Sequence, residues 1–477
     1  MRGGDFRALA ASIVLAALPI GSVRVHAADT PANQASLSHG RFKQLAVYSP
    51  AGTPNSFALL LSGTSGWTGG VIEVAQQLRQ RGAMVVGIDL REFKASLQAD
   101  GAECVFPDGD LENLSHFVQA YYHLPSYLAP MLIGYSAGAT LAYAALAQAP
   151  RDTFASVVSL SFCPTFSLQK PLCKGSGVNF IQAAPGRGVE FLPIGGTGNP
   201  WLVMQGENDR LCPAGAARAF VSKVHGAAFV LLPQVDESLA PAAQWLPQFE
   251  AAFDSLAAHG ASARNPPAPP ALGALPIIEV PARAGAPASD SFAILMSGDG
   301  GWAGLDQDIA AALAADGIPV VGLDSLRYYW TARTPEGLAA DTDRMVRYYL
   351  EHLHKRRVLL IGYSQGADVL PFAVNRLPEA TRARVALAAV LGLSEHALFE
   401  FHLSSWVSDS NSGRPTLPEV NRMTGMPVLC IYGEEEKDSL CPKLDPNRFS
   451  VVKLKGGHHF DGDYAGLARE ILSSAAR

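Results

Sequence analysis

The chain has 477 residues, of which 48% are hydrophobic and 17% charged, with a formal net charge of -6 and a pI near 6.1. This composition argues against a disordered chain, and the slightly acidic balance gives no reason to expect nucleic acid as a partner. The length is too great for one hydrophobic core, so we expect two domains.

The N-terminus is typical of a secretory signal peptide. Arg2 and Arg7 flank the start, an apolar run covers residues 8–20, and small residues lead up to Ala27. The run is shorter than a membrane-spanning helix requires, so we expect cleavage after Ala27, giving a signal peptide at 1–27. No later stretch is long and apolar enough to span a bilayer. We therefore expect a soluble mature protein in an oxidising compartment, the bacterial periplasm.

Six cysteines, an even number, agree with such a compartment. Proximity along the chain suggests two disulfides and leaves the last two cysteines for each other: Cys163 with Cys173, Cys430 with Cys441, and Cys104 with Cys212. The spacings do not resemble a zinc site. Connectivity, however, does not follow from sequence.

The mature chain repeats itself at a lag of about 230 residues. Four blocks return in the same order: 57–67 as 292–302, 85–90 as 320–325, 133–139 as 361–367, and 209–213 as 438–442. Each copy alternates apolar β-type runs with helical patterns, which predicts a parallel sheet with helices on both faces. The predicted fold class is α/β, with two tandem α/β-hydrolase domains whose sheets are mostly parallel.

A stretch rich in Ala, Gly and Pro separates the two copies. It covers residues 257–276, and such a composition predicts a semi-rigid linker that buries little surface. We therefore place the first domain at residues 29–256 and the second at residues 277–477.

The second copy contains a candidate nucleophile elbow. A β-type run at 358–361 breaks into Gly-x-Ser-x-Gly at 362–366 and continues as a helical pattern, the context in which a strained turn presents a serine. The pentapeptide alone is a weak signal, but Asp438 and His458 follow in the order Ser, acid, His. We predict a catalytic triad of Ser364, Asp438 and His458, with His459 as the alternative base.

A Gly-rich loop at residues 297–302 follows an early strand, where half of an oxyanion hole is expected. We predict that the backbone N–H groups of Gly298 and Asp299 contribute there, with the N–H of Gln365 as second donor. The alternative is a plain Gly-rich turn. Trp302 either lines the substrate pocket or packs the turn.

The first copy keeps Ser136 and Asp209 but has no histidine after its last strand. That segment, residues 233–237, reads Pro-Gln-Val-Asp-Glu, and His225 precedes the strand. Without a base the Ser136 hydroxyl is a poor nucleophile, so we interpret this copy as a degenerate hydrolase domain kept for support or binding.

Other features receive simpler interpretations. The acidic run at 434–436 is expected to be a solvated turn, although it lies beside the predicted acid and would attract a cationic substrate. An aromatic group is either a cap over the site or core: Phe399, Phe401 and Trp406. His396 and His402 lack a carboxylate at ligand spacing, so we expect neither a metal nor another cofactor.

The sequence resembles a known family in its duplication, its signal peptide, its Gly-Tyr-Ser-Gln-Gly-Ala-Asp elbow at 362–368 and its Gly-Gly-His-His-Phe segment at 456–460. These features are similar to the bacterial virulence protein family of AcvB and VirJ. The resemblance covers nearly the whole mature chain and is closer to the two-domain AcvB form.

This resemblance implies a periplasmic serine hydrolase that removes the amino acid from aminoacyl-phosphatidylglycerol, chiefly lysyl-phosphatidylglycerol, at the membrane surface. It also implies a link to virulence and to type IV secretion components as partners. Ser364 matches the family's nucleophile, with Asp438 and His458 as its partners. Asp299 and Asp368 are candidates for binding the ammonium groups of the substrate, and Asp368 has the alternative of capping its own helix.

Two other hypotheses stay open at this point. One is a non-catalytic periplasmic binding protein or secretion chaperone, suggested by the duplication and the degenerate first copy. The other is an esterase for a different acyl ester.

Overall fold

The computed structural model describes residues 37–99, 104–175, 177–183, 188–239, 242–263, 268–302, 304–401 and 413–475. The predicted signal peptide at 1–27, and also Trp406 and His402, lie outside these residues. None of the helices in the described ranges is long and apolar enough to cross a membrane.

The first half combines eleven strands with six α-helices in its described residues. Its elements are β1 (Leu37–His39), β2 (Phe42–Tyr48), β3 (Ser56–Leu61), α1 (Gly70–Gln80), β4 (Ala83–Ile88), α2 (Leu90–Ala99), α3 (Pro107–Tyr121), β5 (Met131–Tyr135), α4 (Ala137–Gln148), β6 (Ser156–Leu160), β7 (Thr165–Phe166), β8 (Phe180–Gln182), β9 (Val189–Phe191), β10 (Gly196–Gly206), α5 (Ala214–Val221), β11 (His225–Leu232) and α6 (Leu246–Ala263).

The second half also combines strands with helices. Its elements are β12 (Ile277–Val280), β13 (Ser291–Met296), α7 (Gly304–Ala315), β14 (Val320–Leu323), α8 (Ser325–Tyr328), α9 (Pro335–His352), β15 (Arg357–Tyr363), α10 (Gln365–Val374), α11 (Glu379–Arg382), β16 (Val385–Leu391), β17 (His396–Ala397), β18 (Arg414–Pro415), α12 (Leu417–Val420), β19 (Val428–Gly433), β20 (Ser450–Leu454) and α13 (Tyr464–Ala475).

Each half is built on its own sheet, and the two sheets have the same strand order apart from the additional edge strand β1 of the first. The first sheet runs β1-β2-β4-β3-β5-β6-β10-β11 and the second runs β12-β14-β13-β15-β16-β19-β20. From β4 to β11 and from β14 to β20 every pairing is parallel, whereas β2 and β12 are antiparallel to their neighbours. These sheets confirm the predicted α/β fold class.

The central strands are mostly apolar because both faces of each sheet are covered by helices. β3 and β13 are buried at every position. The buried residues form one hydrophobic cluster on each face of each sheet, so each half has a core of its own. The carboxyl ends of β13, β15, β16, β19 and β20 carry the loops that hold the candidate site residues.

The segment between the halves is more ordered than its composition predicts. α6 extends to Ala263, because an Ala-rich sequence continues a helix readily. Farther on, Leu272 and Leu275 are 1% and 8% exposed and belong to the core of the second half. Part of the predicted 257–276 linker is therefore helical, and part of it is packed.

The disulfides correct two of the three suggested pairings. Cys430 pairs with Cys441 as suggested, but Cys104 pairs with Cys173 and Cys163 pairs with Cys212. Cys163 follows β6 and Cys212 follows the adjacent β10, so the sheet brings these two cysteines together although they are distant in sequence. All six cysteines are paired.

Candidate active site

Ser364 lies at the turn between β15 and α10. Its backbone has φ 52° and ψ −119°, and residues other than glycine rarely adopt a positive φ. Such a conformation costs about 1–3 kcal/mol and persists only where the surrounding structure imposes it. The Ser364 N–H donates to Leu391 O of β16 at 2.9 Å, which fixes the turn to the neighbouring strand.

The two glycines of the elbow are required because backbone passes close to them. A β-carbon on Gly362 would lie 2.3 Å from Gly366 O, and one on Gly366 would lie 2.2 Å from Met296 O. The Gly366 N–H also donates to Ser297 O at 3.1 Å. The elbow is thereby packed directly against the Gly-rich loop that follows β13.

That loop brings Gly298 next to the serine. A β-carbon on Gly298 would lie 3.4 Å from Cβ of Ser364. Ser297 fixes the loop to the start of α8, because its buried Oγ accepts from Ser325 N at 2.9 Å. Gln365 is the first residue of α10, so its N–H has no carbonyl partner within the helix. Gly298 and Gln365 therefore lie next to Ser364, and an oxyanion hole formed by their N–H groups and that of the exposed Asp299 stays a prediction.

The imidazole of His458 is paired with a carboxylate, and that carboxylate belongs to Glu436. His458 Nδ1 is hydrogen-bonded to Glu436 Oε1. Glu436 Oε2 accepts from Gly433 N at 2.6 Å, so both carboxylate oxygens have partners. Glu436 is 12% exposed in its side chain, whereas the imidazole is 40% exposed and accessible from the site.

In this pair the pKa of His458 is raised and the pKa of Glu436 is lowered. The hydrogen bond to Glu436 raises the pKa of His458, against burial, and the charges of Glu436, Asp299 and Asp368 raise it further. Burial raises the pKa of Glu436, but the hydrogen bonds from His458 and Gly433 outweigh it, so the net shift is downward. A carboxylate that stays ionised beside an imidazole is the arrangement that orients a general base.

The prediction of Asp438 as the acid is therefore corrected. Asp438 is exposed, while Glu436, which was expected to be a solvated turn residue, contacts the imidazole. The repeated Asp-x-Leu-Cys-Pro block has a structural role in the first half, where Asp209 Oδ1 accepts from Leu211 N and Cys212 N at 3.0 and 2.8 Å. In the second half the equivalent amide, Cys441 N, donates to Ser439 Oγ at 3.3 Å, and Asp438 stays at the surface.

Gly392 lets the Glu436–His458 pair approach the sheet. It follows Leu391, whose carbonyl accepts from Ser364 N, and it has φ +67°. A β-carbon there would lie 2.6 Å from His458 Cε1 and 3.4 Å from Glu436 Oε1. Only glycine leaves room for the imidazole at the end of β16. Sequence reasoning missed both Gly392 and Glu436.

His459, the alternative base, has a different environment. Its Nδ1 lies 3.2 Å from Tyr363 Oη, and that hydroxyl also lies 3.3 Å from His458 O. Burial and the charge of His458 lower the pKa of His459. The carboxylate partner thus belongs to His458 and not to His459.

Trp302, one of the predicted substrate-binding residues, packs against the sheet. The Trp302 indole lies over β14, since a β-carbon on Gly322 would be 2.3 Å from its Cζ3, and Trp67 occupies the same position over Gly87 in the first half. The repeated Gly-Trp motif is therefore part of the sheet packing, and because Trp302 also lines a cleft, its predicted role in substrate binding stays a prediction.

Asp368 is buried and bound within the protein. Its carboxylate accepts from Ser394 N at 2.7 Å and from Ser394 Oγ at 2.6 Å, so it neither caps its own helix nor faces a ligand. Burial raises the pKa of Asp368 to about 7, although the hydrogen bonds from Ser394 lower it. Its assignment as an ammonium-binding residue is corrected: Asp368 anchors the loop after β16.

The first half preserves the elbow without the base. Ser136 has φ 54° and ψ −119°, nearly the same values as Ser364. Tyr135 Oη donates to Glu237 O at 2.8 Å, just as Tyr363 Oη donates to His458 O, so the backbone of Glu237 occupies the position of the His458 backbone. No histidine is available there to activate Ser136.

A cleft of about 440 Å³ lies between the two halves. It borders the Gly-rich loop at Gly300, Gly301 and Trp302, but its lining includes neither Ser364 nor His458. We place the chemistry at the paired imidazole and the serine, because a cleft alone supplies no nucleophile.

The sequence matches the bacterial virulence protein (VirJ) family over residues 55–169 and 290–477. No curated protein matches it. Similar solved structures include the esterase domain of a Rhodothermus marinus protein, with 19% identity over 46% of this chain and 91% of that one and a TM-score of 0.29. Another is Est1E from Butyrivibrio proteoclasticus, with 15% identity over 46% of this chain and 96% of that one and a TM-score of 0.31. A third is XC6422 from Xanthomonas campestris, described as an α/β serine hydrolase, with 17% identity over 47% of this chain and 90% of that one and a TM-score of 0.29.

Proposed function

The chain belongs to the bacterial virulence protein (VirJ) family, and we propose that its second half is a serine hydrolase of carboxylic esters. The observation that carries this proposal is the pairing of His458 with Glu436 at the end of β16, the strand whose Leu391 O accepts from the N–H of Ser364 in its positive-φ elbow. Such a pairing has no evident structural purpose at an exposed imidazole, whereas it is what an activated serine requires.

In the proposed reaction His458 acts as the general base. Glu436 accepts from Nδ1–H and leaves the Nε2 lone pair free to take the proton of Ser364 Oγ. The alkoxide oxygen attacks the ester carbonyl carbon, and negative charge develops on the carbonyl oxygen. The backbone N–H groups of Gln365 and of the Gly298–Asp299 loop stabilise that charge.

Collapse of the tetrahedral intermediate breaks the bond to the alcohol. His458 returns the proton to the departing alkoxide, and the acyl group stays on Ser364 as an ester. Water then attacks this acyl-enzyme with His458 again as base, and the acid product and free serine are regenerated.

We further propose that the acyl group is a cationic amino acid, and that the substrate is lysyl-phosphatidylglycerol. Supporting this choice, Asp299 is exposed in the loop next to Ser364, and Glu434 and Glu435 are exposed beside Glu436. These carboxylates would favour the ammonium groups of a lysyl ester at the serine. The released products would be lysine and phosphatidylglycerol.

We propose the periplasm as the site of this reaction, after removal of residues 1–27. Three disulfides support an oxidising compartment, because cytosolic proteins rarely retain them. The phospholipid substrate would be met at the membrane surface.

The test is to incubate the purified protein with vesicles containing lysyl-phosphatidylglycerol and to measure free lysine. Ser364→Ala is expected to abolish lysine release, while Ser136→Ala serves as the matched control in the degenerate half. Release that survives Ser364→Ala would reject the nucleophile. Turnover of a simple soluble ester without lysine release would reject the substrate and keep the hydrolase.

The cationic preference has its own test. Asp299→Asn is expected to raise KM for lysyl-phosphatidylglycerol more than for alanyl-phosphatidylglycerol, because only the lysyl side chain carries a second ammonium group. An equal effect on both substrates would remove Asp299 from side-chain recognition.

A further inference from the structure

Four aromatic rings, two from each half, form a closed cluster across the boundary between the halves. His116 lies 4.8 Å from Tyr127, Tyr127 lies 5.4 Å from Trp330, Trp330 lies 5.1 Å from Phe401, and Phe401 lies 5.8 Å from His116, measured between ring centroids. We call these residues the four-ring cluster. Trp330 Nε1 also donates to Leu124 O of the first half at 2.6 Å.

The cluster is built as an apolar contact. His116 is 1% exposed, and burial lowers its pKa to about 3, so the ring is a neutral aromatic at physiological pH. The Trp330 and Phe401 rings are stacked, and the two contacts of His116 are edge-to-face, which are the favoured geometries of aromatic pairs. The first half thus binds a defined pair of rings in the second half.

One of those rings belongs to a short segment beside the active site, residues 396–401, which we call the strap. Phe401 N donates to Tyr329 O, and Phe399 O accepts from Arg333 N, both at 2.8 Å. The Phe399 ring packs on Phe372 of α10 at 5.3 Å. These contacts hold the strap against the second half.

The strap also contacts the oxyanion residue. The carbonyl of Leu398 accepts from Gln365 Nε2 at 3.2 Å, and Gln365 is the residue whose backbone N–H is assigned to the oxyanion hole. A continuous series of contacts therefore runs from Tyr127 and His116, through Phe401 and the strap, to Gln365.

We propose that the first half is a positioning element for the hydrolase site: the four-ring cluster fixes the strap, and the strap fixes Gln365 beside Ser364. This inference rests on the proposed function for its kinetic consequence. It gives the degenerate half a role that needs neither a base nor a substrate, and it makes Tyr127 and His116 positioning residues.

The kinetic test compares three variants with wild type on a soluble p-nitrophenyl ester. Tyr127→Ala removes a ring of the cluster. Tyr127→Phe keeps the ring and removes the hydroxyl, whose oxygen lies 3.3 Å from Ser115 Oγ. Tyr121→Ala removes an aromatic ring that is 47% exposed and outside the cluster, at the end of α3, the helix that carries His116.

Tyr127→Ala is expected to lower kcat by about 10- to 100-fold, since displacement of a catalytic group by about 1 Å costs rates of that order. KM and the acidic limb of the pH–rate profile are expected to stay unchanged, because the Glu436–His458 pair is untouched. Tyr127→Phe and Tyr121→Ala are expected to stay near wild type. Wild-type kcat in folded Tyr127→Ala overturns the proposal.

Hydrogen exchange gives a second measurement that does not depend on activity. Amide exchange in the peptide covering the strap is expected to rise in Tyr127→Ala and to stay unchanged in Tyr121→Ala. Tyr127→Leu, which keeps apolar volume, is expected to give the same result and replaces Tyr127→Ala if circular dichroism finds the latter unfolded.

The two proposals fail in distinguishable ways. A wild-type protein that hydrolyses no ester rejects the proposed function, while strap exchange still decides whether the first half holds the strap. Unchanged exchange in both Tyr127→Leu and Tyr127→Ala overturns the positioning role, whatever the wild-type activity.

Discussion

Replacing Glu436 by Gln tests the identity of the acid with almost no change in shape. In the structure Glu436 Oε2 accepts from Gly433 N while Oε1 contacts His458 Nδ1. A glutamine has only one oxygen, and Gly433 N–H needs it, so the amide NH₂ faces His458. Because that group is a donor, it favours the imidazole tautomer with the proton on Nε2, which is unable to accept the proton of Ser364.

The expected loss in kcat is roughly 10³–10⁴-fold, the size of the tautomer effect in serine triads. This corresponds to about 4–5.5 kcal/mol of transition-state stabilisation. Asp438→Asn is the matched control, since Asp438 is exposed, and its rate is expected to stay within about twofold of wild type.

The pH dependence of kcat/KM provides an independent test of Glu436→Gln. Glu436 raises the pKa of His458 through its hydrogen bond and charge, so its removal lowers that pKa. A general base works when neutral, and a lower pKa keeps it neutral at lower pH. The acidic limb of the residual kcat/KM profile should therefore move to lower pH in Glu436→Gln and stay in place in Asp438→Asn. If the acidic limb moved in Asp438→Asn and stayed in place in Glu436→Gln, the assignment of Glu436 as the acid would be refuted.

Three further predictions follow from the same contacts. His458→Ala should lower kcat at least about 1000-fold, as for other triad members, while His459→Ala should cost much less, because His459 contacts Tyr363 and not a carboxylate. Gly392→Ala should lower kcat by about 100-fold or more without unfolding the protein, because the new methyl group would displace the His458 ring, and a wild-type rate would show that the imidazole works elsewhere. Ser136→Ala should leave ester turnover unchanged, and an inactive variant would mean that the first half is itself catalytic.

The sequence predicts the fold and the elbow because both depend on local patterns. Buried parallel strands are continuous apolar runs, and Gly-x-Ser-x-Gly between a strand and a helix is typical of a nucleophile elbow. The same reasoning fails for the acid. Glu436 lies in a run of three glutamates that looks like a solvated turn, whereas Asp438 has a counterpart at Asp209.

The presence of Asp209 in the first copy is itself a sequence signal against Asp438 as the acid. Asp209 persists in a half without a base, where it accepts hydrogen bonds in a turn, so the recurrence of an aspartate in this block is no evidence for a catalytic acid. Glu436 and Asp438 both follow β19 within five residues, so position after that strand does not distinguish the two carboxylates.

Contacts that cross the sheets or the halves leave no such pattern. Cys163 and Cys212 meet because β6 and β10 are neighbours in the sheet, which spacing along the chain does not reveal. The four-ring cluster joins positions more than 200 residues apart, and no periodicity links them. Trp302 was ambiguous because a tryptophan after a Gly-rich loop suits a pocket and a packed sheet equally well.

Covalent trapping tests the central claim most directly. The full-length protein is treated with a fluorophosphonate, and its intact mass and the modified peptide are determined by mass spectrometry. The proposed site predicts one adduct, located on Ser364, which is lost in Ser364→Ala, strongly slowed in Glu436→Gln and unchanged in Ser136→Ala. No adduct, or an adduct that stays in Ser364→Ala, would contradict a serine hydrolase site in the second half.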